Sequence, residues 1–186
     1  MTRIVAGTAG GRRIEVPQRG TRPTSDRVRE ALFSSLESTV QLSGARVLDL
    51  YAGSGALGLE ALSRGAARAV FVESDRRAAG LLRKNVAALG LPGAVVLQSK
   101  AGTALAEAPD EPFDVVLCDP PYDVPGPELA QVLAALVEHS WTAAGTLVVV
   151  ERAARDEPPV WPEPLRPLRS RAYGGTEVHR AEHVDG

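Results

Sequence analysis

The chain has 186 residues, 44 % of them hydrophobic and 24 % charged, with a net charge of −2. That is one domain of ordinary size with a small extension, and it buries enough surface to need no disulfide staple. A single cysteine, Cys118, excludes an internal disulfide and suits a reducing cytoplasm; no apolar run reaches membrane-spanning length, and the opening Met1-Thr2-Arg3-Ile4-Val5-Ala6-Gly7 does not read as a signal peptide.

The charge is unevenly spread. Residues 1–29 hold seven arginines (Arg3, Arg12, Arg13, Arg19, Arg22, Arg27 and Arg29) against Glu15 and Asp26, a surplus of five, so the rest of the chain carries −7. A basic arm on an acidic body suggests that the arm binds a polyanion. The competing explanation is a solvated arginine-rich surface, since 19 of the 21 basic residues are arginine. Ile4-Val5-Ala6 and Arg12-Arg13-Ile14, separated by a glycine-rich turn, predict a hairpin. Thr21 to Asp26 predicts a helix start, capped by Thr24 or Ser25. The helix that follows has an apolar stripe of Val28, Ala31, Leu32, Ser35 and Leu36, with Arg27, Arg29 and Glu30 on its other face. Leu42-Ser43-Gly44-Ala45 then links the arm, 1–41, to a main domain, 42–186.

Strands are predicted at 46–51, 69–74, 94–98, 113–118 and 145–151, alternating with helices at 56–64, 76–89, 101–107 and 127–140. Such alternation specifies an α/β fold, a mostly parallel sheet with helices on both faces. The first unit, Arg46-Val47-Leu48-Asp49-Leu50-Tyr51-Ala52-Gly53-Ser54-Gly55-Ala56-Leu57-Gly58, runs a strand into Gly-x-Gly-x-x-Gly and a helix. Twenty residues after Gly53, Glu73 ends the next strand, where an acid can accept both ribose hydroxyl protons. A dinucleotide pyrophosphate fits poorly, because Asp49 would repel it; a cationic adenosine ligand fits well.

The fourth strand, Phe113-Asp114-Val115-Val116-Leu117-Cys118, ends in Asp119-Pro120-Pro121-Tyr122. The prolines fix the backbone and end the ladder. The ring can stack on a base, while the Asp119 carboxylate and the Pro120 carbonyl can accept protons from an exocyclic amine. In isolation this could be a rigid turn; paired with the upstream site it suggests a methyl aimed at that amine. Cys118 reads as a small buried hydrophobe. A proline-rich connection, 156–164, precedes two strands near 166–172 and 177–183, turned by Gly174-Gly175 and expected at the sheet edge. His139, His179 and His183 have no metal-ligand spacing.

Asp49-Leu-Tyr-Ala-Gly-Ser-Gly55, Glu73-Ser-Asp75 and Asp119-Pro-Pro-Tyr122, in this order, resemble a class I S-adenosylmethionine-dependent methyltransferase. Arg3-Ile-Val-Ala-Gly7, Gly11-Arg-Arg-Ile14 and Thr21-Arg-Pro-Thr-Ser-Asp-Arg-Val-Arg-Glu-Ala-Leu-Phe33 resemble the amino-terminal signature of the bacterial RsmD family, and the likeness spans nearly the whole chain. That family methylates N2 of a guanine in 16S ribosomal RNA, guanine 966. The resemblance implies a Rossmann-like, seven-stranded sheet with a last hairpin at one edge, and S-adenosyl-L-methionine as cofactor. It implies that Asp49, Tyr51, Gly53, Ser54, Gly55, Glu73 and Ser74 contact the cofactor, and that Asp119, Pro120 and Tyr122 act on the guanine with Pro121 beside them. Arg12, Arg13, Arg22, Arg27 and Arg29 would hold RNA. The chain departs from many methyltransferases in having Gln98-Ser99-Lys100-Ala101 where an acid binds the adenine amine, which passes that role to Ser99, Ala101 or backbone groups. The implied protein is a cytoplasmic monomer that needs no metal or membrane and acts on 16S rRNA in an assembling 30S subunit.

Three other activities compete. A DNA or protein-glutamine amino-methyltransferase would share Asp-Pro-Pro-Tyr, but no target-recognition domain for DNA is present. A nucleotide-dependent oxidoreductase is disfavoured by Asp49 and Asp119. A non-catalytic RNA-binding domain is disfavoured because both sites are intact.

Overall fold

The structure is a computed structural model describing residues 1–17 and 25–185. Residues Thr21–Thr24 of the expected helix start, together with Arg19, lie outside the described residues. Strands β1 (Thr2–Arg3) and β2 (Arg13–Ile14) pair antiparallel, Thr2 with Ile14. Helix α1 (Asp26–Thr39) is capped by Ser25, whose hydroxyl accepts from Val28 N–H.

The body alternates β3 (Arg46–Leu50), α2 (Ala56–Ser63), β4 (Arg68–Glu73), α3 (Arg76–Leu89), β5 (Ala94–Gln98), α4 (Ala101–Ala104), β6 (Val115–Cys118), α5 (Gly126–Glu138) and β7 (Leu147–Ala153). It closes with β8 (Leu165–Pro167), β9 (Arg171–Tyr173) and β10 (Thr176–His183). Strands run β5-β4-β3-β6-β7-β10-β8, and β9 also pairs with β10. The first five strands are parallel; β10 is antiparallel to β7, with Val178 opposite Glu151. The sheet is thus seven columns wide. The expected edge strand near 166–172 is split around Leu168–Ser170 into β8 and β9, which pair with opposite ends of β10. The final strand is therefore an inner one, between β7 and that broken edge.

The alternating side chains of these strands feed two cores. Leu48, Leu50, Val116, Cys118, Val148 and Val150 pack with α4 and α5. Val47, Phe71, Leu117 and Val149 pack with α1, α2 and α3. The arm shares this second core through Ile4, Ala9, Ile14, Leu32, Phe33 and Leu36.

Helix α1 corrects one sequence expectation. Its buried residues are Arg29, Leu32, Phe33 and Leu36, a helical i, i+3, i+4, i+7 stripe. Arg29 lies on the buried face, with none of its side chain exposed. Its Nε donates to Glu60 Oε1 at 3.2 Å, and its Nη2 donates to Asp26 Oδ1 at 2.9 Å and to the Arg3 carbonyl. Glu60 is equally buried and also accepts from Val5 N–H at 2.8 Å, Ala6 N–H at 3.1 Å and Arg64 Nε at 2.9 Å. The arm is locked to α2 through this carboxylate.

Candidate active site

A cavity of about 970 Å³ opens at the carboxyl ends of β3, β4, β6 and β7. It brings together Asp49, Tyr51, Gly53, Ser54, Glu73 and Ser74 on one side and Asp119, Pro120, Pro121 and Tyr122 on the other. The two sequence motifs, about seventy residues apart, meet because β3 and β6 are neighbours in the sheet, with Leu50 beside Cys118. This is where open α/β sheets place ligands.

The turn after β3 is held in detail. Tyr51 and Gly53 both have φ near +57°, and Gly55, at φ +86°, is the residue preceding α2. A Cβ on Gly55 would sit 2.3 Å from Leu82 Cδ1, and one on Gly58 would sit 2.3 Å from the Phe71 ring. Gly55 and Gly58 therefore let α2 pack closely on the sheet and α3; Gly55 shapes the turn from beneath and does not line the cavity. Glu73 Oε1 accepts from Gly53 N–H at 2.8 Å, and its Oε2 accepts from Asp75 N–H at 2.8 Å. Two bonded backbone donors leave lone pairs on the carboxylate for a ligand's hydroxyls.

Asp49 is fully buried, and its Oδ2 accepts from Gly58 N–H at 3.0 Å. Burial raises its pKa to about 8, with the charges of Glu73 and Glu151 adding to the rise. Carboxyls crowded at the head of a buried turn form a site for a cation. Cys118, behind Asp119, has its thiol pushed up by burial first and by the Asp119 charge second, which keeps it an inert core residue.

The acceptor side is rigid. Asp119 is half-buried, Pro120 is buried, and Val124 N–H donates to Pro121 O at 3.1 Å, closing the turn. Tyr122 is 54 % exposed at the cavity mouth. Sequence reading missed the other walls. Glu151 and Arg152 come from β7, Tyr173 and Thr176 from the last hairpin, and Val28 and Ala31 from α1. No local motif marks these positions; only the sheet order brings them here.

The remaining expected site residues do not gather at one place. Ser99 and Ala101 flank the tip of β5 outside the cavity lining; Ser99 N–H donates to Glu73 O at 3.0 Å and its hydroxyl donates to Lys100 O at 3.0 Å. Arg27 is exposed and lines the cavity, and Arg13 is exposed on β2. Arg12 is occupied: its guanidinium donates to Ala88 O at 2.6 Å and to Leu89 O at 3.3 Å, at the end of α3 where carbonyls lack helical partners. Arg29, enclosed by Glu60 and Asp26, does not offer its guanidinium to a solvent-borne phosphate. Arg22 lies outside the described residues.

Comparison with known proteins agrees with this architecture. A chain named ribosomal RNA small subunit methyltransferase D from Escherichia coli K12 is 41 % identical over 161 residues, covering 86 % of this chain and 79 % of that one. Its counterpart of the same name from Haemophilus influenzae is 38 % identical over 176 residues, covering 92 % and 89 %. A solved structure described as putative methyltransferase yhhF from E. coli superposes with a TM-score of 0.88 at 34 % identity, covering 100 % of this chain and 99 % of that one. The family model described as conserved hypothetical protein 95 matches residues 2–182, and with these relatives it establishes that the chain belongs to the RsmD family of class I methyltransferases.

Proposed function

We propose that the protein transfers a methyl group from S-adenosylmethionine to the exocyclic N2 of a guanine in 16S ribosomal RNA, at the position of guanine 966, in the small ribosomal subunit. The observation that carries this reading is one cavity shared by a cation-suited turn and a rigid amine-gripping strand end. The relatives named as small-subunit rRNA methyltransferases support RNA as the substrate. In this reading residues 1–41 form the RNA-gripping arm and 42–186 the catalytic body of a cytoplasmic monomer, and no metal takes part.

The donor, when bound, supplies a methyl already activated by its sulfonium. Asp49 would face the positive end of that ligand, and Glu73 would accept from its ribose hydroxyls. Asp119 and Pro120 accept the two protons of N2 and so turn the nitrogen lone pair toward the methyl. The Asp119 carboxylate offsets the positive charge that N2 gains and takes the proton it loses. Tyr122 stacks on a base that has left its helix or come from a loop. The rest of the rate comes from positioning.

The decisive experiment is a labelled-methyl assay with small subunits, naked rRNA, DNA and protein as acceptors, followed by nucleoside analysis. N2-methylguanosine from rRNA or subunits is the expected product. Label in DNA or glutamine alone, or no label at all, sinks the proposal.

The raised Asp49 pKa has a pH signature. Without cofactor the carboxyl holds its proton up to about pH 8. A cationic ligand favours the carboxylate, so binding at pH 7 releases a proton. Affinity should rise with pH, by up to about tenfold per unit below 8, and level off above it. The same group lowers stability as pH rises from the unfolded value of 3.8 to about 8, because the folded chain keeps a proton that the unfolded chain gives up. Calorimetry in buffers of different ionisation enthalpy measures the proton directly. Asp49→Asn, which imitates the protonated acid, should abolish the pH dependence; its persistence in that variant assigns it to another group.

The arm carries a separate expectation. Arg13 and Arg27 are exposed. Replacing either with glutamine should weaken RNA binding whatever the sequence. It should also flatten the log–log salt slope by about 0.7 for each single-strand phosphate that the variant no longer neutralises. Cofactor affinity and melting temperature should stay near wild type. An unchanged salt slope in both variants would show that these arginines do not hold RNA.

A further inference from the structure

Arg152 stands on the acceptor side of the cavity and has no role in the reaction described above. In the β6–β7 ladder Cys118 lies beside Val150, so Pro120 and Arg152 both stand two residues beyond the same rung. Residues of β7 alternate between the two cores, and Val148 and Val150 belong to the α4–α5 side. Arg152 continues that side. Its Nη1 donates to Val124 O at 3.2 Å, in the loop that follows Tyr122. The guanidinium is thereby fastened to the segment that grips the base. Its Nε is buried and has no hydrogen-bond partner among the described residues.

The neighbours on that face leave the donor unanswered. Glu177 is the cross-strand partner of Arg152, but its Oε1 accepts the Ser170 hydroxyl at 2.8 Å. His179 is buried on the same face, its Nε2 without a hydrogen-bond partner among the described residues and 4.0 Å from Glu177 Oε2; burial, and after it the Arg152 charge, lower its pKa against the opposing charge of Glu177. Arg152, by contrast, is a permanent cation on this face of the cavity wall.

A grip on a 2-amino group does not by itself select guanine, because 2,6-diaminopurine offers the same amine. The two bases differ at position 6, an oxygen acceptor in guanine and an amino donor in diaminopurine. Arginine carries donors and no acceptor. Beside position 6 it rewards the oxygen and repels the amine.

We propose that Arg152 determines base specificity by donating to the 6-oxo group of the target purine, so that the protein reads guanine at its 2-amine through Asp119 and Pro120 and at its oxygen through Arg152. The inference rests on guanine N2 being the acceptor. Arg152 acts on binding and orientation of the base, with no part in proton transfer.

The test compares kcat/KM for RNA carrying guanine or 2,6-diaminopurine at the position that wild-type protein methylates. Wild type should prefer guanine by roughly ten- to a hundredfold, the scale of an arginine–guanine contact. Arg152→Met should bring the ratio to within about threefold of one, chiefly by losing activity on guanine, and Arg152→Lys should keep part of the preference. Both variants should bind S-adenosylhomocysteine and melt near wild type. Equal use of the two bases by wild type overturns the inference, and that measurement needs no variant to fold. So does an Arg152→Met protein that loses activity on both bases in proportion. If wild type forms no N2-methylguanosine at all, the proposed reaction fails and the inference with it; if it forms that product without discriminating at position 6, only the role of Arg152 fails.

Discussion

Asp119→Ala is expected to lower methyl transfer by at least about 10²-fold, the scale for removing a group aimed at charge that develops in the transition state. Binding of S-adenosylhomocysteine should remain near wild type, because the cofactor side is built from the turn after β3 and from Glu73, on other strands. The fold should also survive. Asp119 is half-buried at the end of β6, and the turn beyond it is fixed by Pro120, Pro121 and the Val124–Pro121 hydrogen bond. The informative pattern is therefore a loss in kcat with cofactor affinity and melting temperature retained. Single-turnover kinetics with saturating RNA isolates the chemical step. Near-normal turnover in this variant would reduce the strand end to a rigid turn and remove the residue on which the proposed chemistry depends.

Which parts of this site the sequence disclosed follows from where the information lies. The turn from β3 into α2 was legible because local rules coincide there: an apolar strand, glycines, helical spacing and an acid at the end of the next strand. The Asp-Pro-Pro-Tyr end was legible for a similar reason, since prolines state their backbone directly. Arg152, Tyr173 and Thr176 were not legible, because nothing near them in sequence indicates a cavity. They arrive through the pairing of β6 with β7 and of β10 with β7 and β9, which are long-range facts. The last strands show the same limit. A hairpin at the edge was visible in Gly174-Gly175, but insertion of β10 between β7 and a split β8–β9 edge was not.

The arm shows a sharper failure. Counting arginines identified a basic segment correctly but assigned five of them one role. Arg12 caps carbonyls of α3, Arg29 is buried in an ion pair, and Arg13 and Arg27 face solvent. Composition weighs each charge equally; burial does not. The signal that distinguishes Arg29 was present in its spacing from Leu32, Phe33 and Leu36, and was outvoted by the assumption that a charged residue belongs on the wet face.

That buried pair leads to the largest expected effect on stability. Glu60→Ala removes a fully buried carboxylate that accepts from Val5 N–H, Ala6 N–H, Arg29 Nε and Arg64 Nε. Arg64 keeps other partners in Glu30 and Glu37, and Arg29 keeps Asp26. Even so, Arg29 is deprived of the acceptor at its Nε inside a core where none of its side chain meets water. Breaking one partner out of a buried pair costs about 3–5 kcal/mol. At about 2–4 °C per kcal/mol for a chain of this size, melting should fall by roughly 10 °C. The damage should also be local to the arm, since two of the hydrogen bonds removed tie Val5 and Ala6 to α2. Hydrogen exchange should therefore quicken at those two amides more than in the β3–β6 ladder. Removing both charges together, as Glu60→Leu with Arg29→Met, should cost less than Glu60→Ala alone, because the buried guanidinium goes together with the carboxylate that answered its Nε. A double variant that melts far below the single one would instead mean that the pair contributes stability beyond the cost of desolvating it, and that this carboxylate is more than a lock between arm and body.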